Sequence, residues 1–198
     1  KLAAYYIVLA AFLACSGKRE RDRVKENIKI WGFLISLLSF LLHRPVSGLR
    51  VDFIDVGQGD GILLETREQV ILVDGGSTQI KKLGEQRLEP LLKSRGIRNI
   101  DMVFVSHGDQ DHISGVRELL LEKKIRHLVL TAVSETDETV RELADLAVSN
   151  GAQVIYINED TRWESGGWQF WCLYPGREEK EKSENDQSMG LRGNASGT

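Results

Sequence analysis

The stretch VFVSHGDQDHISG, residues 103–115, sets two histidines and two aspartates into six positions directly behind an apolar run. IDMVFVS (100–106) reads as a buried strand, and SGVRELLLEKK as a helix beginning around Ile113–Ser114. HGDQDH is then a loop at the C-terminal end of a sheet strand, where α/β proteins gather reactive groups. If the loop is extended, the alternate positions His107, Asp109 and Asp111 point the same way, and His112 turns inward as the helix starts. Imidazole and carboxylate are ligands for Zn²⁺, Mn²⁺ or Fe²⁺. A solvated turn accounts for any one of these residues, but not for four of them in order behind an apolar strand.

Working outward, LRVDFIDV (49–56) alternates, GILLET and QVILVDGG follow at close spacing, and TREQ makes a hairpin turn. KKLGEQRLEPLLKSRG sets Leu83, Leu88, Leu91 and Leu92 near one helical face, with Pro90 predicting a kink or late start and Gly96 a stop. IRHLVL is a strand, ETDETVRELADLAVSNG a helix, and AQVIYIN and WQFWCLYP two more strands. A meander followed by strand–helix alternation predicts an α/β class, a mixed sheet with helices on its outer face. GREEKEKSENDQS is a charged loop.

DVGQGDG resembles the dinucleotide-binding G-x-G-x-x-G, but its sixth position is Ile62 and no helix pattern follows. A tight turn between strands explains Gly57, Gly59 and Gly61 better. Asp60 in this turn and Asp74 at the end of its strand are each either structural or partners of the metal loop. His43 reads as an interfacial residue, His127 as a strand residue, and Trp163, Trp168 and Trp171 as packing.

Residues 1–48 carry eight basic and three acidic side chains, which leaves 18 basic and 26 acidic beyond them. So acidic a part is not a bulk nucleic-acid binder, and a polyanion would have to be attracted by metal ions or a local patch. With only Cys15 and Cys172, no disulfide framework is implied.

Two apolar runs, Leu2–Cys15 and Ile30–Leu42, flank the charged GKRERDRVKENIK. The first opens the chain on Lys1 rather than Met, and the second lengthens if Ile28 and Val46 are counted. Neither keeps a polar stripe, which favours tandem membrane helices over buried core helices. FLACSG fits a lipoprotein cleavage site poorly. The basic connecting loop predicts a cytoplasmic turn, placing everything after Val46 on the outer face of the cell membrane. The expected domains are 1–48, membrane helices, and 49–198.

H-x-H-x-D-H behind a strand is the signature of the metallo-β-lactamase fold, here with Asp109 in place of the second histidine. With FIDVGQGDG at the start of the domain, ILVDGG after it and apolar runs before it, the chain resembles the ComEC family of competence proteins. Tyr174–Pro175 and ENDQS (184–188) resemble that family's later Asn-rich motif. The resemblance covers roughly residues 28–192. It implies a metal-dependent nuclease on a DNA-internalisation channel, with DNA, lipid and the remaining channel parts as partners. It makes His107 and Asp109 ligands of one divalent ion and Asp111 and His112 of a second, Zn or Mn. Asp111, or a hydroxide made at the metals, is then the base or nucleophile. Asp60, Asp74, Asn185 and Ser188 become supporting or substrate-contacting groups.

No histidine follows His127, where that fold draws further ligands from a later Gly-Asp and a double histidine. The expectation is therefore a fragment at both ends: the fold's first half and little more, its second sheet largely missing. It would be inactive alone even if its parent is an enzyme. Two other readings stay open, a non-catalytic membrane-tethered remnant and a hydrolase of small esters or lactams on the same fold.

Overall fold

The computed structural model describes residues 48–165, 167–175 and 188–195, together with Asn27, 30–35 and 37–38 near the start. Two compact units separate at Pro45 and Val46. Among the described residues, no helix is long and apolar enough to cross a membrane. Leu2–Cys15 lies outside them, and Ile30–Leu42 is described only at 30–35 and 37–38, where the backbone is helical.

The second unit is built on a sheet of six strands in sequence order: β1 (Arg50–Phe53), β2 (Ile62–Glu65), β3 (Val70–Val73), β4 (Ile100–Phe104), β5 (Ile125–Thr131) and β6 (Gln153–Ile157). β1–β3 form the antiparallel meander, and β3–β6 run parallel. Their composition explains the difference. β1 alternates between half-buried and exposed positions, as an edge strand does, whereas IDMVF of β4 is buried at four of its five positions because both faces are covered.

Three helices cover one face: α1 (Glu89–Arg95), α2 (Gln110–Leu121) and α3 (Glu138–Ser149). Leu83, Leu88, Leu92, Ile113, Val116, Leu119, Val140 and Leu143 meet Leu63, Leu72, Val103 and Leu128 of the sheet there. Pro90 has the expected effect. Without an N–H it cannot continue the ladder backwards, and a wide π-type turn over Gly84–Leu88 precedes the regular helix. Gly96 closes α1 in the left-handed conformation at φ 74°.

The other face carries a second sheet, β7 (Arg162–Ser165), β8 (Trp168–Tyr174) and β9 (Gly190–Ala195), all antiparallel. Trp168, Phe170 and Cys172 pack on Ile71, Met102, Phe104, Val129 and Ile157, with the Trp163 and Phe170 rings stacked at 4.9 Å. The expectation of a largely missing second sheet is corrected on this side. The short WES and the glycine-rich GLRGNA carry too few apolar residues to read as strands alone. Over β1 and β2 the face stays open. A cleft of about 380 Å³ lies between β9 and Val51, Phe53, Ile62 and Leu64, and Phe53 is 80% exposed.

The topology brings four connections to one rim. β3, β4 and β5 end there, and the β1–β2 loop lies there too because Phe53 pairs with Ile62 and Ile62 with Val73.

Candidate metal centre

α2 begins at Gln110, three residues earlier than the sequence pattern suggests, which changes how the four loop residues are aimed. Asp109 is the N-cap in extended conformation, so only His107–Asp109 follow strand-like alternation; Asp111 and His112 are set by the first helical turn. An aspartate at this position ordinarily spends its carboxylate on the helix's free N–H groups. Asp109 makes no such bond, and its Oδ2 lies 3.4 Å from His107 Nε2.

Each imidazole is held from its far side. His112 Nδ1 donates to Asp74 Oδ2 at 3.1 Å, and Asp74 Oδ1 accepts from the Ser106 backbone N–H at 2.8 Å. Asp74 is buried and sits at φ 52°, a left-handed conformation that aspartate tolerates better than most residues. With Nδ1 bearing the proton, His112 Nε2 keeps its lone pair, and it faces Asp60 Oδ2 at 3.7 Å and Asp111 Oδ2 at 3.9 Å. Ser106 Oγ lies 2.9 Å from His107 Nδ1 and 3.2 Å from His112 Nδ1, between two rings whose centroids are 3.9 Å apart. Ser188 Oγ reaches His107 Nδ1 at 3.3 Å, and the Met189 N–H donates to the Ser106 carbonyl. The start of β9 is thereby tied to the loop.

Burial lowers the affinity of the His112 imidazole for a proton. The Asp74 hydrogen bond and the charges of Asp74, Asp111 and Asp60 act the other way and prevail, so its pKa lies above the usual histidine value of 6.5.

The backbone explains how Asp60 arrives here. Its N–H donates to the Asp111 carbonyl and its carbonyl accepts from Gly76, while Gly75 donates to His112 O and accepts from Gly115 and Val116. A Cβ on Gly59 would stand 2.3 Å from Gly76 O and 2.6 Å from Asp111 O, so this approach requires glycine.

Asp60, Asp74, His107, Asp109, Asp111, His112 and Ser188 therefore assemble at one rim, while Asn185 lies outside the described residues. Ser106 is the participant that sequence reading misses; serine before a histidine carries no signal, and only the fold places its oxygen between both rings. His127, by contrast, is a β5 residue whose Nδ1 lies 2.8 Å from the Asp101 carbonyl.

Two ligands about 2.1 Å from one tetrahedral ion stand roughly 3.4 Å apart. The His107–Asp109 pair has that spacing, and the Asp60–His112–Asp111 trio is wider. Among the described residues, no group of three or more His, Cys, Asp or Glu side chains closes on a single point. The donors fit divalent cations in kind, but among the described residues neither set is complete.

Ser188→Ala tests the β9 tie. With one neutral hydrogen bond lost, stability is expected to fall by about 1 kcal/mol or less. Mn²⁺ affinity measured by calorimetry is expected to weaken several-fold, because His107 loses a restraint. Unchanged Mn²⁺ binding would leave Ser188 without a part in the centre.

Residues 54–136 match the family model described as the metallo-beta-lactamase superfamily. ComE operon protein 3 of Bacillus subtilis (strain 168) is 27% identical over 172 residues, 79% of this chain and 22% of that protein. Competence protein ComA of Neisseria gonorrhoeae is 30% identical over 93 residues, 45% of this chain and 13% of that protein. The chain thus spans 22% or less of the length of these relatives. Among solved structures, the metallo-beta-lactamase fold protein YhfI from Bacillus subtilis aligns with a TM-score of 0.43 and 21% identity, over 65% of this chain and 51% of that one.

Proposed function

We propose that this chain, which belongs to the ComEC family of competence proteins and carries a metallo-β-lactamase-like domain, is the metal-dependent nuclease portion of a membrane DNA-uptake protein. One observation carries the reading. Two imidazoles at a single sheet rim turn their Nε2 edges toward carboxylates while their Nδ1 atoms are tied to Asp74, Ser106 and Ser188. Such rear support orients a histidine as a ligand.

His107 with Asp109, and His112 with Asp60 and Asp111, would hold the two divalent ions. The share of carboxylate favours Mn²⁺ relative to Zn²⁺. When bound, such ions neutralise phosphodiester charge and acidify water. With the carboxylate oxygen not given to the ion, Asp111, partly exposed at the start of α2, would take the proton from the attacking water. Asp74 holds the His112 ring in the tautomer that leaves Nε2 free, and Ser106 and Ser188 hold the His107 ring. The substrate is DNA, single-stranded or duplex. In this reading residues 1–48 are membrane helices with a cytoplasmic basic loop, the domain 49–198 lies on the outer face, and the rest of a channel completes the assembly.

The chain is expected to cleave DNA weakly or not at all, since among the described residues neither ligand set closes. The test incubates the detergent-solubilised chain with Mn²⁺ and end-labelled DNA and measures Mn²⁺ binding in parallel. Mn²⁺ binding that His107→Ala abolishes supports the centre. Strong cleavage lost in His107→Ala supports the nuclease and removes the expected inactivity. Cleavage indifferent to His107→Ala, or no Mn²⁺ binding, overturns the reading and leaves the non-catalytic role.

A further inference from the structure

A second cavity lies beside His107. It measures about 220 Å³ and lies between the β4 loop, at Ser106, His107 and Gly108, and the β5–α3 connection, at Val133, Ser134, Thr136 and Asp137. At this volume it falls short of the roughly 300–1,000 Å³ that holds a drug-sized ligand, and it suits a single ring system.

The polar atoms of Ser106 and His107 are engaged with each other, with His112 and with Asp109, and the rest of the polar lining has one chemical character. The Ser134 hydroxyl donates to Thr131 O at 2.7 Å, and the Thr136 hydroxyl donates to Val133 O at 3.3 Å. Asp137 Oδ1 accepts the Thr139 N–H at 2.7 Å as the N-cap of α3. Both hydroxyl protons are turned onto the backbone, so lone pairs and the second Asp137 oxygen are what remain for a guest. Among the described residues, no Lys or Arg lines the cavity. An anionic phosphate is therefore disfavoured there, while a neutral group bearing N–H donors is matched. Val133 supplies an apolar wall for a flat ring. Gly108 makes the arrangement possible, since a Cβ on it would stand 2.4 Å from Asp137 Oδ2.

We propose that this cavity is a base-selecting subsite, taking a nucleobase with an exocyclic amine (cytosine, adenine or guanine) from the strand whose phosphate lies at the His107 rim. The inference rests on the nucleic-acid reading above and names which nucleotides that reading favours. Asp137 is its specificity-determining residue, and thymine, with no exocyclic amine, is the base it disfavours.

The test measures fluorescence anisotropy of the full chain with labelled dC12, dA12 and dT12 in Ca²⁺ at fixed ionic strength. dC12 and dA12 are expected to bind several-fold more tightly than dT12. Asp137→Asn keeps the helix cap, because asparagine caps as well as aspartate. It offers an amide N–H₂ to the cavity, so the preference is expected to disappear or turn toward dT12. Equal binding of all three strands, or a preference untouched by Asp137→Asn, overturns the subsite while leaving a nucleic-acid-binding domain. No binding of any strand overturns the subsite and the nucleic-acid reading together.

Discussion

Gly76→Ala is expected to cost about 3 kcal/mol or more, and to remove divalent binding with it. The added Cβ would stand 2.3 Å from Asp111 C and His112 N and 2.5 Å from His112 C. These are backbone atoms in the first turn of α2 and cannot rotate aside. Relief means moving the helix start away from Gly75, which breaks the bonds from Gly75 N to His112 O and from Gly115 N and Val116 N to Gly75 O. Each is worth about 1 kcal/mol, against a total stability of about 5–15 kcal/mol for a domain. The same movement carries Asp111 and His112 away from Asp60. Urea unfolding of the full chain in detergent measures the first effect and calorimetry with Mn²⁺ the second. Gly96→Ala is the control. It has open space around it but φ 74°, so strain alone is expected, about 1 kcal/mol. A Gly76→Ala variant no weaker than the control would show that this packing does not position the site.

The second large effect is expected at Asp74. Asp74→Ala leaves the His112 ring N–H and the Ser106 backbone N–H without their shared acceptor. Each bond to a charged group is worth about 1.5–3 kcal/mol, so a loss of about 3–6 kcal/mol is expected. Asp74→Asn separates stability from site chemistry. Its amide oxygen still serves Ser106, but its N–H₂ meets His112 Nδ1 and drives the proton to Nε2, where the free lone pair had been. Divalent affinity is expected to fall about 10–100-fold, with a much smaller loss of stability than in Asp74→Ala. Stability in Asp74→Asn matching Asp74→Ala, with metal affinity unchanged, would make Asp74 a scaffold residue only.

pH supplies an independent measurement. His112 has a folded pKa above its unfolded value of about 6.5. The metal-free folded state therefore binds this proton more tightly than the unfolded state. The resulting stabilisation is fully present below pH 6.5 and is lost as pH rises through the folded pKa. In Asp74→Asn the principal attraction is gone and this dependence is expected to flatten. An unfolding midpoint of the metal-free chain that does not fall across that window would contradict the role given to Asp74.

Much of this was legible in the sequence because period and punctuation are local properties. The run IDMVFVS before a crowded HGDQDH, the turn at TREQ and the stop at Gly96 each depend on neighbours a few residues away. They suffice for the mixed sheet, its helices and the four loop residues. They do not suffice for the start of α2, because Asp109 resembles an ordinary capping residue, and only the position of His107 shows its carboxylate engaged elsewhere. β7 and β9 escaped notice for a related reason. Their few apolar residues become strands by pairing with β8 and by covering Phe104 and Ile71.

By itself the sequence determined which donors this protein owns and that they cluster behind a buried strand. The tertiary structure alone decided their aim. Asp60, Asp74 and Ser188 lie dozens of residues from the histidines they serve, and only sheet pairing and glycine-permitted backbone contact bring them within reach. Hydrogen bonding and coordination act over a few ångströms, so pattern along a chain names the participants and folding sets the distances.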